Sequence, residues 1–171
     1  MRNNSDENKV PKPNQDRHHH GNSSYKEFNL RLDGAVREGN ASEIIAVAKE
    51  IAKDLANPPR PARPVEASQM RKFLDEIVKV HQQINLDIPR DQPLRDFNDP
   101  DGKNLKNKLA ILRPRFAYTV TRKNNDKLKT FYLEVLDKWL ERVPTFKQID
   151  LEYLHLFIES LIAYHKVNAK Q

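Results

Sequence analysis

Residues 126–143 read DKLKTFYLEVLDKWLERV. Leu128, Phe131, Tyr132, Val135, Leu136, Trp139, Leu140 and Val143 recur at helical spacing with polar residues between them. A strand would alternate by two; this period belongs to an amphipathic α-helix. So wide an apolar stripe has to be buried against other helices. Pro144 ends the helix, because its ring clashes with the preceding turn and it has no amide proton to donate.

The neighbouring segments repeat the pattern. A Thr145-x-x-Gln148 capping box, or an Asp150 cap, opens a helix reaching about Val167. Its core row is Leu151, Leu154, Phe157, Ile158, Leu161 and Ile162, with Tyr153, Leu156 and Tyr164 on other faces. Such a helix is central to a bundle or used in a subunit contact. Upstream, Ser42 is a candidate N-cap for a helix carrying Ile44, Ile45, Val47, Ala48, Ile51, Ala52 and Leu55, stopped at Asn57 by Pro58-Pro59. Residues 58–65, within NPPRPARPV, read as an extended, stiff proline-rich linker. A helix from Ser68 places Met70, Phe73, Leu74, Ile77, Val78, His81 and Ile84 on one face, with His81 as a hydrogen-bonded boundary histidine. Asp101 or Asn104 caps the helix over 103–123. The acidic loop 96–101 resembles a calcium loop, but Pro100 and Asp101 break the required spacing. No stretch favours a strand. The reading is all-α: a compact bundle of about five helices over residues 41–171, preceded by a disordered tail, 1–40. In the tail Phe28, Leu30 and Leu32 form at most a docking segment, and His18–His20 make no defined metal site.

Composition narrows the functional classes. Of 171 residues, 37% are hydrophobic and 32% charged, with four glycines and no cysteine. Thiolate chemistry and disulfides are excluded. The first 40 residues hold no apolar run, and LEYLHLFIESLIAY (151–164) is too short to span a bilayer. A soluble, cytoplasmic protein is expected, without a membrane partner.

The net charge of +6 is unevenly placed. Residues 103–130 hold nine Lys/Arg and one Asp, so this segment exceeds the whole positive balance. A merely solvated face mixes both signs, whereas one-signed concentration is the footprint of a polyanion partner. On a helix at ~100° per residue, Leu105, Leu109, Leu112, Phe116 and Val120 form the buried stripe. Lys108, Arg115 and Arg122 form a second stripe beside it, with Ile111 and Tyr118 beyond. Lys103, Lys106 and Arg113 make a third group, and Lys123 extends the charge. Tyr118 reads equally as a boundary core residue or as an exposed ring; arginines around an exposed aromatic suit a single-stranded nucleic acid, because guanidinium grips phosphate and the ring offers a face to a base. Pro114 is expected to kink the helix and aim Arg113 and Arg115 at one target.

Catalysis finds little support. His155 and Glu159 are four apart, a spacing able to hold a metal in a hydrolase, but no third ligand is evident. His165, near a helix C-terminus, reads as dipole-stabilised or phosphate-contacting. No nucleophile pair, glycine-rich phosphate loop or carboxylate dyad is present, and no enzyme activity, metal or cofactor is expected.

Three stretches carry a resemblance: LAILRPRFAYTVTRK (109–123), KLKTFYLEVL (127–136) and FIESLIAYHK (157–166), with RKFLDEIVKV (71–80) in a compatible position. Together they resemble the small helical subunit of type III-A CRISPR effector complexes, the Csm small subunit, over about the last 100 residues. Thr119-Val120-Thr121 depart from the small residues usual there. The resemblance implies a non-catalytic bundle whose copies stack on one another beside backbone and large subunits. It implies a groove for CRISPR RNA and target single-stranded RNA, in antiviral defence. Its candidate RNA-binding residues are Lys108, Arg113, Arg115, Tyr118, Arg122 and Lys123, joined by Arg71 and Lys166 from the matched stretches. The competing reading is a protein-only helical adaptor docking an acidic partner subunit.

Overall fold

The computed structural model describes residues 24–82, 89–94 and 104–169. Its elements are α1 (Ser24–Glu38), α2 (Ala41–Ala56), α3 (Ala67–His81), α4 (Leu105–Lys123), α5 (Asp126–Phe131), a π-helical segment (Tyr132–Leu136), α6 (Asp137–Glu141), a 3-10 turn (Val143–Thr145) and α7 (Gln148–Asn168). Among the described residues there is no strand; Pro93 and Lys147 form an isolated bridge. The all-α bundle read from the hydrophobic period is the observed fold.

The centre is α7 packed along α2, with α1 against α2 and α3 against α7. Ala48, Ala52 and Ala56 are buried on α2 beside Ile44, Val47, Ile51 and Leu55, and small side chains let the backbones approach closely. From α7, Leu151, Leu154, Phe157, Ile158 and Leu161 are fully buried, and Trp139 of α6 meets Phe157 edge-to-face at 5.0 Å.

Three boundaries differ from the sequence reading. Ser24–Glu38, expected in a disordered tail, are helical: Tyr25, Leu32 and Ala35 are core residues. Tyr25 Oη donates to Asp54 at 2.6 Å, and Lys127 reaches the same carboxylate at 2.9 Å. Arg31 adds ion pairs to Glu43 and Glu50 of α2. The apolar residues of this segment are few but aligned, and long-range partners order it. The rest of that tail, residues 1–23 with His18–His20, lies outside the described residues, as do residues 83–88 with Ile84, the acidic loop 95–103, and the side chain of Phe73.

The α2 cap is Asn40, not Ser42, and its side chain accepts from Glu43 N at 3.1 Å. Gly39 before it adopts φ +69°, and a Cβ there would sit 3.2 Å from Tyr153 Oη, so the turn requires glycine. α3 starts at Ala67, next to the expected Ser68, with Glu66 as its cap. Asp150 supports the start of α7 by accepting from Lys147 N. Asn104 caps α4 as one of the two residues expected.

The third difference is the π segment inside 126–141. Buried residues recur there strictly every four: Leu128, Tyr132, Leu136 and Leu140, and in parallel Phe131, Val135, Trp139 and Val143. In an α-helix a four-residue step drifts by ~40°, so the row would wind away from the core. A wider π turn absorbs the drift and keeps both rows inward.

Candidate nucleic-acid interface

Asn104 at one end and Asn124, left-handed at φ 48°, at the other delimit α4. The helix runs unbroken through Pro114. Thr119 and Thr121 turn their hydroxyls to the carbonyls of Arg115 and Ala117, both at 2.8 Å, so the departure from small residues leaves α4 regular. The stripe Leu105, Leu109, Leu112, Phe116 and Val120 is buried as the spacing predicts.

With that face fixed, Arg115, Tyr118, Arg122 and Lys123 come together on one wall of an open groove of about 800 Å³ between α3 and α4. The opposite wall carries Glu66, Ser68, Gln69 and Glu76. Tyr118 is 68% exposed, which removes it from the core. The side chains of Arg115, Tyr118, Arg122 and Lys123 make no ion pair, hydrogen bond or ring contact with the described residues. The two acids opposite are engaged: Glu76 by Lys79 at 2.9 Å and Glu66 by the Ser68 hydroxyl. The groove thus offers three cations without a partner among the described residues and a bare aromatic ring.

The other predicted residues lie elsewhere. Arg113 does not join Arg115, and Pro114 does not aim the two at one target. Arg113 binds Asp137 of α6 through two nitrogens, at 2.7 and 2.9 Å, and the single hydroxyl proton of Tyr132 lies within reach of both the Arg113 carbonyl, at 2.8 Å, and Asp137, at 2.9 Å. The guanidinium holds the Asp137 carboxyl below its usual range. Arg113 therefore serves to join α4 to α6. Residues 113 and 115 are ~200° apart on a helix, and a helix that runs on through Pro114 keeps them so. Lys108 is half-buried, interacts within the protein and does not line the groove. Arg71 and Lys166 share a second groove, between α3 and α7, with Asp75 and Glu159 and an apolar floor of Val78, Ile162 and Ala163. This groove carries charges of both signs.

His81, His155 and His165 pack within the bundle. His155 lies 3.3 Å from Glu159, as the spacing predicts, but its ring stacks on His81 at 3.6 Å. Burial and the neighbouring His155 push the His81 pKa down. Among the described residues no group of three His, Cys, Asp or Glu could hold a metal. His165 is 1% exposed, so it does not contact phosphate, and neither ring nitrogen has a hydrogen-bond partner. Burial depresses its pKa below 6.5, which the nearby Val65 backbone offsets only in part. Below about 6.5 the unfolded chain therefore binds protons that the folded chain refuses, and stability falls with pH until the folded value is passed. The melting temperature is expected to drop from pH 7.5 to pH 5.5, and less so in His165→Phe. Equal slopes in the two proteins would count against this.

The sequence reading missed Ser68 and Gln69 as groove residues, because a helix start looks like capping alone. It also missed that the proline-rich segment borders α4: Asn125 Nδ2 donates to the carbonyl of Pro64 at 3.1 Å.

The family model described as Csm2 Type III-A matches residues 38–171. The chain belongs to this family. As a Csm2 family member it is a small subunit of type III-A CRISPR Csm complexes. The matched region takes in α2 and the proline-rich segment, both outside the stretches on which the resemblance rested, while α1 up to Arg37 precedes it. Searches of the curated proteins and of the solved structures found no match. No helix among the described residues of this Csm2 family member is long and apolar enough to cross a membrane.

Proposed function

We propose that this chain is a non-catalytic, RNA-binding structural subunit of a type III-A interference complex, acting in the cytoplasm in antiviral defence. It sets the α3–α4 groove against the guide or target RNA. The observation that carries the reading is the cluster of Arg115, Arg122 and Lys123 around exposed Tyr118, with no partner for any of them among the described residues. Exposed cations with no ion pair to the described residues are free to exchange counterions for phosphates. The tyrosine face accepts any base by stacking, so contact is expected without sequence preference. Arg113 and Lys108 are not part of this interface.

A second surface fits the protein contacts of such a subunit. The groove holding Arg71 and Lys166 has an apolar floor and charges of both signs, which suits a neighbouring copy or a backbone or large subunit better than a polyanion. The adaptor reading survives for this face, alongside RNA binding on the other.

The test is photocrosslinking of the assembled complex, loaded with RNA carrying 4-thiouridine, followed by mass spectrometry of crosslinked peptides. Crosslinks within residues 115–123 are expected. Crosslinks to the other subunits and none to α4 would contradict the proposal.

A further inference from the structure

We infer that the proline-rich turn is a second nucleic-acid contact, in which Arg60 and Arg63 continue the α3–α4 groove and Asn125 is the positioning residue. The inference rests on the RNA reading above and extends it to a segment outside the groove.

The turn is built, not merely a spacer. It was expected to be extended, but Ala62 N donates to the Pro59 carbonyl at 3.2 Å and folds it back. Val65, 1% exposed, plugs it into the core, and its amide donates to Leu55 O at 2.9 Å. The Asn125 side chain then ties it to the start of α5, just past the end of α4. Its amide nitrogen reaches the carbonyls of Pro64 at 3.1 Å and Arg63 at 3.5 Å, while its oxygen accepts from Leu128 N at 3.0 Å as the α5 cap. Lys123 is two residues before Asn125 and Glu66 two residues after Pro64, and both line the groove. The groove therefore opens, at the C-terminal end of α4, onto the turn.

Arg60 and Arg63 are exposed there and have no partner among the described residues. Residues 55–65 contain no acid, and Asp54 before them is held by Tyr25 and Lys127. Four prolines, at 58, 59, 61 and 64, restrict the backbone around both arginines, so little conformational entropy is lost when they meet a ligand. Exposed arginines on a stiff, acid-free loop adjoining the Lys123 end of the groove suit the next phosphates of a strand leaving it.

The test uses the full-length chain and labelled oligouridylates at low salt: one of roughly four nucleotides, the shortest such sites span, and one several times longer. Arg60→Glu/Arg63→Glu is expected to weaken the long oligomer about tenfold and to lower its log-log salt slope by about 1.4, at about 0.7 per phosphate contact. The short oligomer, confined to the groove, should bind as before. Asn125→Ala should reproduce part of the loss on the long oligomer only. If the long oligomer binds the Arg60/Arg63 variant unchanged while Arg115→Glu/Arg122→Glu weakens it, the turn is not a contact and the RNA reading stands. If neither variant changes binding, both fail. Competition by polyglutamate as strong as by RNA, lost in the Arg60/Arg63 variant, would assign the turn to an acidic protein and overturn the inference.

Discussion

Phe157→Ala is expected to destabilise the protein by about 3–5 kcal/mol, lowering the melting temperature by roughly 10–20 °C. Phe157 is fully buried on α7, the helix that packs along α2 and against α3. Truncation removes apolar surface and leaves a cavity, because neighbours on three helices cannot all collapse into it. It also removes the edge-to-face contact with Trp139, a further ~0.5–1.5 kcal/mol in such pairs. Trp139 is the single tryptophan, so its fluorescence reports the unfolding directly. A shift of only a degree or two would mean that α7 is not the centre of the bundle.

Much of this fold was legible because helical period and burial coincide. The α4 stripe from Leu105 to Val120 and the α7 row from Leu151 to Leu161 are buried as their spacing requires. The π turn was also in the text, as a strict four-residue repeat, but a helix reading at lower resolution of period treats threes and fours alike. What sequence spacing could not show was long-range pairing. α1 looks too polar to fold, yet Asp54 and Lys127, distant in sequence, hold Tyr25 in place. The candidate site divides in the same way. Helix spacing sets Lys108 beside Arg115 and Arg122 with Tyr118 beyond, whereas the groove wall gathers Arg115, Tyr118, Arg122 and Lys123 without Lys108. The pairing of Arg113 with Asp137, 24 residues away, and the acids that share a groove with Arg71 and Lys166 are not legible in spacing, because both depend on how helices meet.

The second large effect is expected from Arg115→Glu/Arg122→Glu. Reversal removes two phosphate contacts and places two like charges beside the strand, so single-stranded RNA affinity should fall on the order of a hundredfold at low salt. Both residues are exposed and without ion pairs to the described residues, so the melting temperature and helical circular dichroism should not change. Arg113→Ala is the matched control. It breaks the pair with Asp137 and costs on the order of 1 kcal/mol of stability, but it leaves RNA affinity where it was.

The central claim, that the α3–α4 groove grips an RNA backbone by charge, is tested most directly by the salt dependence of binding in these two proteins. Filter-binding titrations of the parent chain and of Arg115→Glu/Arg122→Glu across a range of salt should give straight log-log plots. The variant's slope should be shallower by about 1.4, two contacts at about 0.7 each. Equal slopes in the two proteins, or a parent chain whose affinity does not change with salt, would contradict the account.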